Sequence, residues 1–515
     1  MMPDEIKCSR GRTLAGWMML GAAAILGTLY LNTGCFVDEA DNLVAGRMMC
    51  DGDILYRDIF SHHFPFPYAW CASVIAVTGQ SILRIRLVLW IFQLAAFALL
   101  MVWTRRVLTI SLTALLWSIL RAVYWGHLIL YSAFSATGLL VVFTLTLALL
   151  FRRCAPSWPF RIIFAAAACM AVLSDPLAAY PVAVALIAIF VRSPRAGLGT
   201  GSLLVTGILL CGILLWSAGA LEDFISQAVD FNTHIYSRYV HKSTLPIGKF
   251  LRLSLTGLGI TDPQWFDPDP LKPLAIATSP ELDRWLFTGF FYRATVLFTC
   301  ILLLAKKEWK TALFIYFFCV SLLLMHPWGV RSQPFVLIAL SLMAVVITGA
   351  WIRQSPLVRH TGRWVIVLAL VWLCGRVLVA GHICMEQHDV PSVARYRAAA
   401  EVARTLACGQ SDVQLAYYPG GTYTYWYCDL KPVDGCLFMW PWIADARLDG
   451  VIRELQRVDI RAIVAIDHCT IWEYFDTNDY LTPLFRFLDT HYVCIAESVY
   501  ISPALHDICG NPLAD

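Results

Sequence analysis

About a dozen apolar stretches, each long enough or nearly long enough to cross roughly 30 Å of hydrocarbon, run from residue 13 to residue 380. No water-soluble core absorbs that much apolar length. The composition agrees: 59% of the 515 residues are apolar and 15% charged, against about 25% charged in an ordinary soluble domain. A soluble enzyme is excluded on these grounds. A transmembrane β-barrel is excluded too, because its strands alternate apolar and polar residues, and these runs do not. The net charge of +3 gives no nucleic-acid footprint. The expected class is a polytopic α-helical membrane protein with one polar tail domain, and its chemistry must reside in the few polar residues that burial makes conspicuous.

The first stretch, 13–31, follows Lys7, Arg10 and Arg12 and reads as an uncleaved helix with a cytoplasmic N-terminus. Further stretches fall at 66–80, 87–104, 107–120, 133–151, 160–174, 177–191, 202–218, 286–305, 311–326, 334–352 and 364–380. Basic clusters at Arg105–Arg106, Arg152–Arg153, Arg192 with Arg195, Lys306–Lys307 with Lys310, and Arg353 mark cytoplasmic ends. They are mutually consistent if 66–104 contributes one net crossing, which gives eleven spans; a re-entrant 66–80, or Arg105–Arg106 on the outer side, changes the count, and the expected range is about 11–13. The expected division is a membrane domain, 1–383, with outer loops 32–65 and 219–285, and an extracytoplasmic α/β domain, 384–515. Within the second loop, 224–240 is amphipathic and is expected to lie along the membrane surface.

In the tail, 391–407, 444–457 and 479–490 read as helices, and 413–417, 461–466 and 492–501 as strands, an alternation compatible with a doubly wound sheet. No Gly-rich phosphate fingerprint follows any strand, so a nucleotide role has no support. Of the 17 cysteines, those inside apolar spans read as small packing residues. Proximity in sequence favours Cys428 with Cys436, Cys494 with Cys509, and Cys35 with Cys50 as pairs.

The most informative segment is 36–68, FVDEADNLVAGRMMCDGDILYRDIFSHHFPFPY, just past the first span. It carries six carboxylates: Asp38, Glu39, Asp41, Asp51, Asp53 and Asp58. Charge beside a bilayer is costly, so it marks function. Asp38 and Glu39 would diverge by roughly 100° on a helix, so they do not share a proton. The following LVAGRMM suits a short surface helix begun by the acids. The plain alternative is a solvated loop whose acids cap helices.

The order Asp38–Glu39, Gly46, Gly52, Tyr56, Asp58, His63 and Pro65 resembles the first outer loop of the GT-C membrane glycosyltransferases. It is most similar to the branch holding protein O-mannosyltransferases, the lipid A aminoarabinose transferase and rhizobial lipopolysaccharide-core transferases. The motif match covers some 35 residues, and the many spans and C-terminal outer domain agree with it. The resemblance implies transfer of a sugar from a polyprenyl-phosphate donor to a lipid, glycan or protein acceptor on the outer face, in a bacterial inner membrane with a periplasmic C-terminal domain. It implies Asp38 as general base on the acceptor hydroxyl, Glu39 as its support or as a ligand to a divalent metal, and Tyr56, Asp58, His62 and His63 as substrate-binding residues. No cofactor is certain. Arg331, in MHPWGVRSQPF, with His326 beside it, is the candidate for the donor phosphate. Lys242, Lys249 and Arg252 are alternatives, and Tyr236, Arg238 and His241 are candidates for an acceptor groove.

Two positions depart from the pattern. The stretch 127–138 has no acid where relatives often carry Asp, and Asp175 stands where some carry Lys. Asp175 reads as a helix cap before Pro176. The aromatic segment 423–442 suits either sugar stacking or docking against another part of the chain. A transporter or flippase of a lipid-linked substrate is the alternative class. It calls for midplane charges and repeated halves, neither of which is visible. A non-catalytic scaffold relative is a third reading.

Overall fold

The computed structural model describes residues 3–29, 31, 36–105, 107–123, 130–152, 157–240, 290–305, 307–325, 390–471 and 475–509. Chain contacts divide it into two compact units. The first comprises 1–33, 83–210 and 244–384, the second 34–82, 211–243 and 385–515. The expected spans 334–352 and 364–380 lie outside the described residues.

The first unit is an α-helical membrane bundle. Among the described residues, three helices are long and apolar enough to cross a membrane: Ile82–Thr104, Leu130–Phe151 and Pro194–Ser217. Shorter apolar helices include Trp158–Ser174 and Trp309–Leu322. Pro3–Leu29 lies along Val107–Val123, Leu130–Arg152 along Trp158–Ser174, and Trp309–Met325 against both Phe290–Ala305 and Ala179–Arg192. The most apolar window of Leu130–Phe151 is 83% buried and that of Pro194–Ser217 only 11%, so the former is the centre of the bundle and the latter its rim. Several polar side chains here find partners within the bundle, as hydrocarbon favours. Thr137 and Thr146 donate to carbonyls one turn back, Gln93 donates to Thr137 at 3.2 Å, and Arg86 donates to the Leu31 carbonyl at 2.8 Å. Asp175 accepts from Leu177 N at 2.9 Å, the cap its place before Pro176 suggests.

The second unit is built on a five-stranded mixed sheet. Its strands are β1 (Gln414–Tyr418), β2 (Lys431–Pro432), β3 (Ala462–Ile466), β6 (Val493–Ala496) and β7 (Val499–Ile501), in the order β2-β1-β3-β7-β6. Strand β1 runs parallel to β2 and β3, whereas β7 is antiparallel to both β3 and β6. The doubly wound expectation is thereby corrected. The apolar run 492–501 is a hairpin rather than one strand, because Ser498 turns the chain at φ 58°. A two-stranded ribbon of β4 (Thr470–Ile471) and β5 (Phe475–Asp476) stands apart. Helices Val390–Leu406, Pro441–Leu455 and Thr482–His491 fall where the sequence places them.

The cysteine pairing is also corrected. Cys408 bonds Cys509, 101 residues away, while Cys50, Cys428, Cys436 and Cys494 are free thiols. Proximity in sequence carried no information about proximity in the sheet.

Two elements of this unit differ from expectation in ways that matter for the site. The 66–80 stretch forms a helix of only 13 residues, Phe66–Thr78, about 20 Å long and too short to span. Helix Val37–Cys50, expected at a surface, is buried from Glu39 to Met48. It packs against Phe66–Thr78 on one side and the aromatic helix Thr422–Cys428 on another. Arg47 fastens it to the latter, donating to Tyr425 O at 2.8 Å and pairing with Asp429 at 2.6 Å. Gly46 permits the first contact: a Cβ there would meet Cys71 Cβ at 2.6 Å and Ala72 N at 2.9 Å. Gly52 turns the chain after the helix at φ 103°. We expect Gly46→Ala to lower the thermal midpoint of the purified chain. Gly201→Ala, at a helical position with nothing within 4 Å, should lower it by less or raise it. Equal midpoints for the two variants would contradict this packing.

Candidate functional site

The first turn of Val37–Cys50 separates the carboxylate doublet. Phe36, extended at φ −143°, precedes it, and Asp38 and Glu39 sit at the positive end of the helix dipole. Glu39 turns inward, is buried, and accepts a hydrogen bond from the Tyr423 hydroxyl. The same hydroxyl accepts from Phe36 N at 3.4 Å. Tyr423 therefore does the work of a cap that Phe36 has no side chain to do. Asp38, one residue before Glu39 on the helix, is half-buried. Its charge acts on Asp41 and on Tyr236, whose phenol is raised by burial and then by Asp38.

Asp41 is buried and accepts from the Tyr68 hydroxyl, which lies 2.6 Å from Ser61 Oγ. Its other oxygen, Oδ1, has no hydrogen-bond partner among the described residues. Burial pushes the Asp41 carboxyl up to about 8, with the Tyr68 bond opposing and the Asp38 charge adding to the rise.

The two histidines follow in the loop leading to Phe66–Thr78. Their rings lie 4.0 Å apart. His62 is buried among Phe231, Tyr236 and Phe438, at centroid distances of 5.5, 5.7 and 6.1 Å. Burial, with His63 beside it, holds the ring well below the usual histidine range. The shift favours the neutral imidazole, able to offer a hydrogen bond but no charge, and its Nδ1 is buried with no partner among the described residues.

The peptide groups around these rings are fixed from several directions. Tyr56 OH donates to His63 O at 2.8 Å, Gln227 Nε2 donates to Tyr56 O at 2.6 Å, and Ser61 N donates to Gln227 Oε1 at 3.1 Å. Asn232 Nδ2 donates to His62 O at 2.6 Å. Gln227 and Asn232 belong to a π-helical stretch, Ile225–Tyr236. On an α-helix, residues five apart diverge by roughly 140°, whereas i→i+5 bonding stacks them. The stretch expected along a membrane surface thus directs two amides at one loop. Its far end rests on helix Pro441–Leu455, through Tyr236 against Trp442 at 5.4 Å and a Tyr239–Asp445 hydrogen bond.

Of the expected site residues, Asp38, Glu39, Tyr56, Asp58, His62 and His63 all fall in this one unit. Tyr56 is a buried clamp at φ 72°. Asp58 accepts from Ile54 N at 2.8 Å and pairs with Arg57 at 2.8 Å, which holds it below the usual carboxylate range. Arg331 and His326 lie outside the described residues, as do His241, Lys242, Lys249 and Arg252. Among the described residues no three His, Cys, Asp or Glu side chains cluster as a metal set. Sequence reasoning missed Asp41, Tyr68, Gln227, Asn232 and Tyr423 as members of this assembly.

Between the ordinary carboxylate range and about pH 8, folded Asp41 keeps a proton that the unfolded chain has lost. The stability this proton confers is fully present below that range and is lost as pH rises through about 8. Asp41→Asn keeps the acceptor oxygen and cannot ionise. Its thermal midpoint should therefore rise relative to the parent chain as pH goes from about 5 to about 8, then level off. A midpoint difference independent of pH would contradict a buried, titrating Asp41.

No family model and no curated protein matches the sequence. Solved structures do. Apo ArnT from Cupriavidus metallidurans superposes with a TM-score of 0.54 at 14% identity, covering 95% of this chain and 98% of that one. ArnT from the same organism bound to undecaprenyl phosphate gives 0.54 at 12% identity, covering 95% and 99%. Likeness over nearly the full length of both chains fixes the architecture: the chain has the fold of the GT-C membrane glycosyltransferases.

Proposed function

We propose that this chain is an integral membrane glycosyltransferase that moves a sugar from a polyprenyl-phosphate donor to an acceptor hydroxyl on the outer face of the membrane. The observation that carries the reading is the full-length likeness to ArnT, a protein solved with undecaprenyl phosphate bound. The arrangement at the acid helix supports it. Glu39 is buried against the Tyr423 hydroxyl, Asp38 is the half-buried member of the doublet, and the histidine loop of the same unit is held by Tyr56, Gln227 and Asn232.

In this reading Asp38 takes the proton of the acceptor hydroxyl as that oxygen attacks the anomeric carbon. The bond from that carbon to the phosphate oxygen breaks, the electron pair leaves with polyprenyl phosphate, and the configuration inverts. Glu39 keeps the first helical turn in place. Neutral His62 offers a hydrogen bond to the substrate, while the charge the phosphate needs is assigned to Arg331, with His326 beside it. Tyr56 and Asp58 shape the binding loop. The setting we assign is a bacterial inner membrane with a cytoplasmic N-terminus and a periplasmic C-terminal domain. The basic clusters at the span ends support the orientation, and the Cys408–Cys509 disulfide suits an oxidising compartment.

Asp38→Asn tests the role directly. In isolated membranes presented in turn with synthetic polyprenyl-phosphate sugars, the variant should lose transfer by roughly a hundredfold or more while accumulating like the parent chain. Full activity would end the assignment of Asp38. Movement of lipid-linked sugar across vesicles without transfer would replace the enzymatic reading by transport.

A further inference from the structure

We propose that Asp41 is a positioning residue, anchoring a one-way hydrogen-bond chain through Tyr68 and Ser61 that holds the His62–His63 loop to the acid helix. What that loop does for substrate rests on the glycosyltransferase reading; the chain itself rests on geometry.

The polarity follows from counting protons. Tyr68 has one hydroxyl proton and donates it to Asp41 Oδ2. Its oxygen is then left as an acceptor, so Ser61 Oγ, 2.6 Å away, must be the donor in that pair. Ser61 Oγ in turn accepts from His63 N at 3.1 Å. The sequence of donors is thus His63 N–H, Ser61 O–H, Tyr68 O–H, ending on Asp41. Each link points the same way, which strengthens its neighbours in a low dielectric. Asp41, Ser61 and Tyr68 are all buried, at 1%, 1% and 0% exposure, so no water competes for the links.

The anchor must accept and must not compete as a donor toward Tyr68. A carboxyl meets this whether ionised or protonated on Oδ1, the oxygen without a partner among the described residues. An amide meets it too, with its carbonyl toward Tyr68. An aliphatic side chain does not. Asp41 sits one turn beyond Asp38 on the same helix, so the chain ties the position of the proposed base to that of the histidine pair. Without it, the loop would keep Asn232 and Gln227 at its other side but lose its tether to the acid helix.

The test uses the full chain in detergent and two readouts. Hydrogen exchange is followed over residues 61–63, with β3 (Ala462–Ile466) as the reference for an intact fold. Tyr68→Phe, which removes only a hydroxyl, and Asp41→Leu should speed exchange in the loop by about tenfold, the change one lost hydrogen bond supports. Asp41→Asn should stay within about threefold of the parent, and β3 should not change in any of them. If Asp41→Leu fails to fold, Tyr68→Phe still decides. In the transfer assay, Tyr68→Phe should lower kcat with little change in KM for the polyprenyl-phosphate donor, and Asp41→Asn should restore what Asp41→Leu loses. Unchanged loop exchange in Tyr68→Phe, or Asp41→Asn as loose as Asp41→Leu, would overturn the proposal. A parent chain that shows the exchange pattern but transfers no sugar would instead overturn the glycosyltransferase reading and leave the tether standing.

Discussion

Two carboxylates buried in one fourteen-residue helix are the constraint around which the second unit is organised. Removing a carboxyl group from water is costly unless partners compensate, whether it is ionised or keeps its proton. Glu39 and Asp41 each meet this with a phenol, Tyr423 for the first and Tyr68 for the second. The two tyrosines lie on different elements, Thr422–Cys428 and Phe66–Thr78, and those are the two against which the acid helix packs. Satisfying the acids and closing the core are therefore one event. Asp38, adjacent in sequence, is half-buried where Glu39 and Asp41 are buried.

The same economy governs the histidine loop. Its peptide groups are held by Tyr56 before it and by Gln227 with Asn232 far along the chain, and its Ser61 hydroxyl by Tyr68 after it. Backbone groups fixed in this way hold the two imidazoles in defined places, which is the preorganisation the proposed transfer calls on. The π-helical stretch matters here for geometry. An α-helix carrying the same sequence would aim Gln227 and Asn232 in different directions.

Much of the membrane bundle was legible because hydrocarbon imposes length and composition on a span, and the helices at 82–104, 130–152 and 194–217 follow the apolar runs closely. The acid pair stood out for the same reason, as charge placed just beyond a span. What stayed hidden were partnerships across distance. Nothing near Glu39 announces Tyr423, and nothing near Asp41 announces Tyr68, because pairing in space leaves no local periodicity. The buried face of Val37–Cys50 was misread as a surface helix since its acids look solvated until their phenols are known. Strands β6 and β7 merged into one reading because Glu497 and Ser498 interrupt an apolar run too briefly to signal a turn. Amphipathicity marked 224–240 correctly as two-faced but could not tell an i→i+5 helix from an α-helix, nor a protein partner from a lipid one.

The hydroxyl of Tyr423 completes the first turn of a helix that lies 384 residues earlier in the chain. At about 5–20 residues per second of synthesis, a ribosome needs on the order of 20–80 s to cover that interval. During that time Glu39 and the Phe36 amide have left the ribosome without the group that later satisfies them. Assembly of this unit is in that sense post-translational: the earliest chemistry-bearing segment to be made is among the last to be finished.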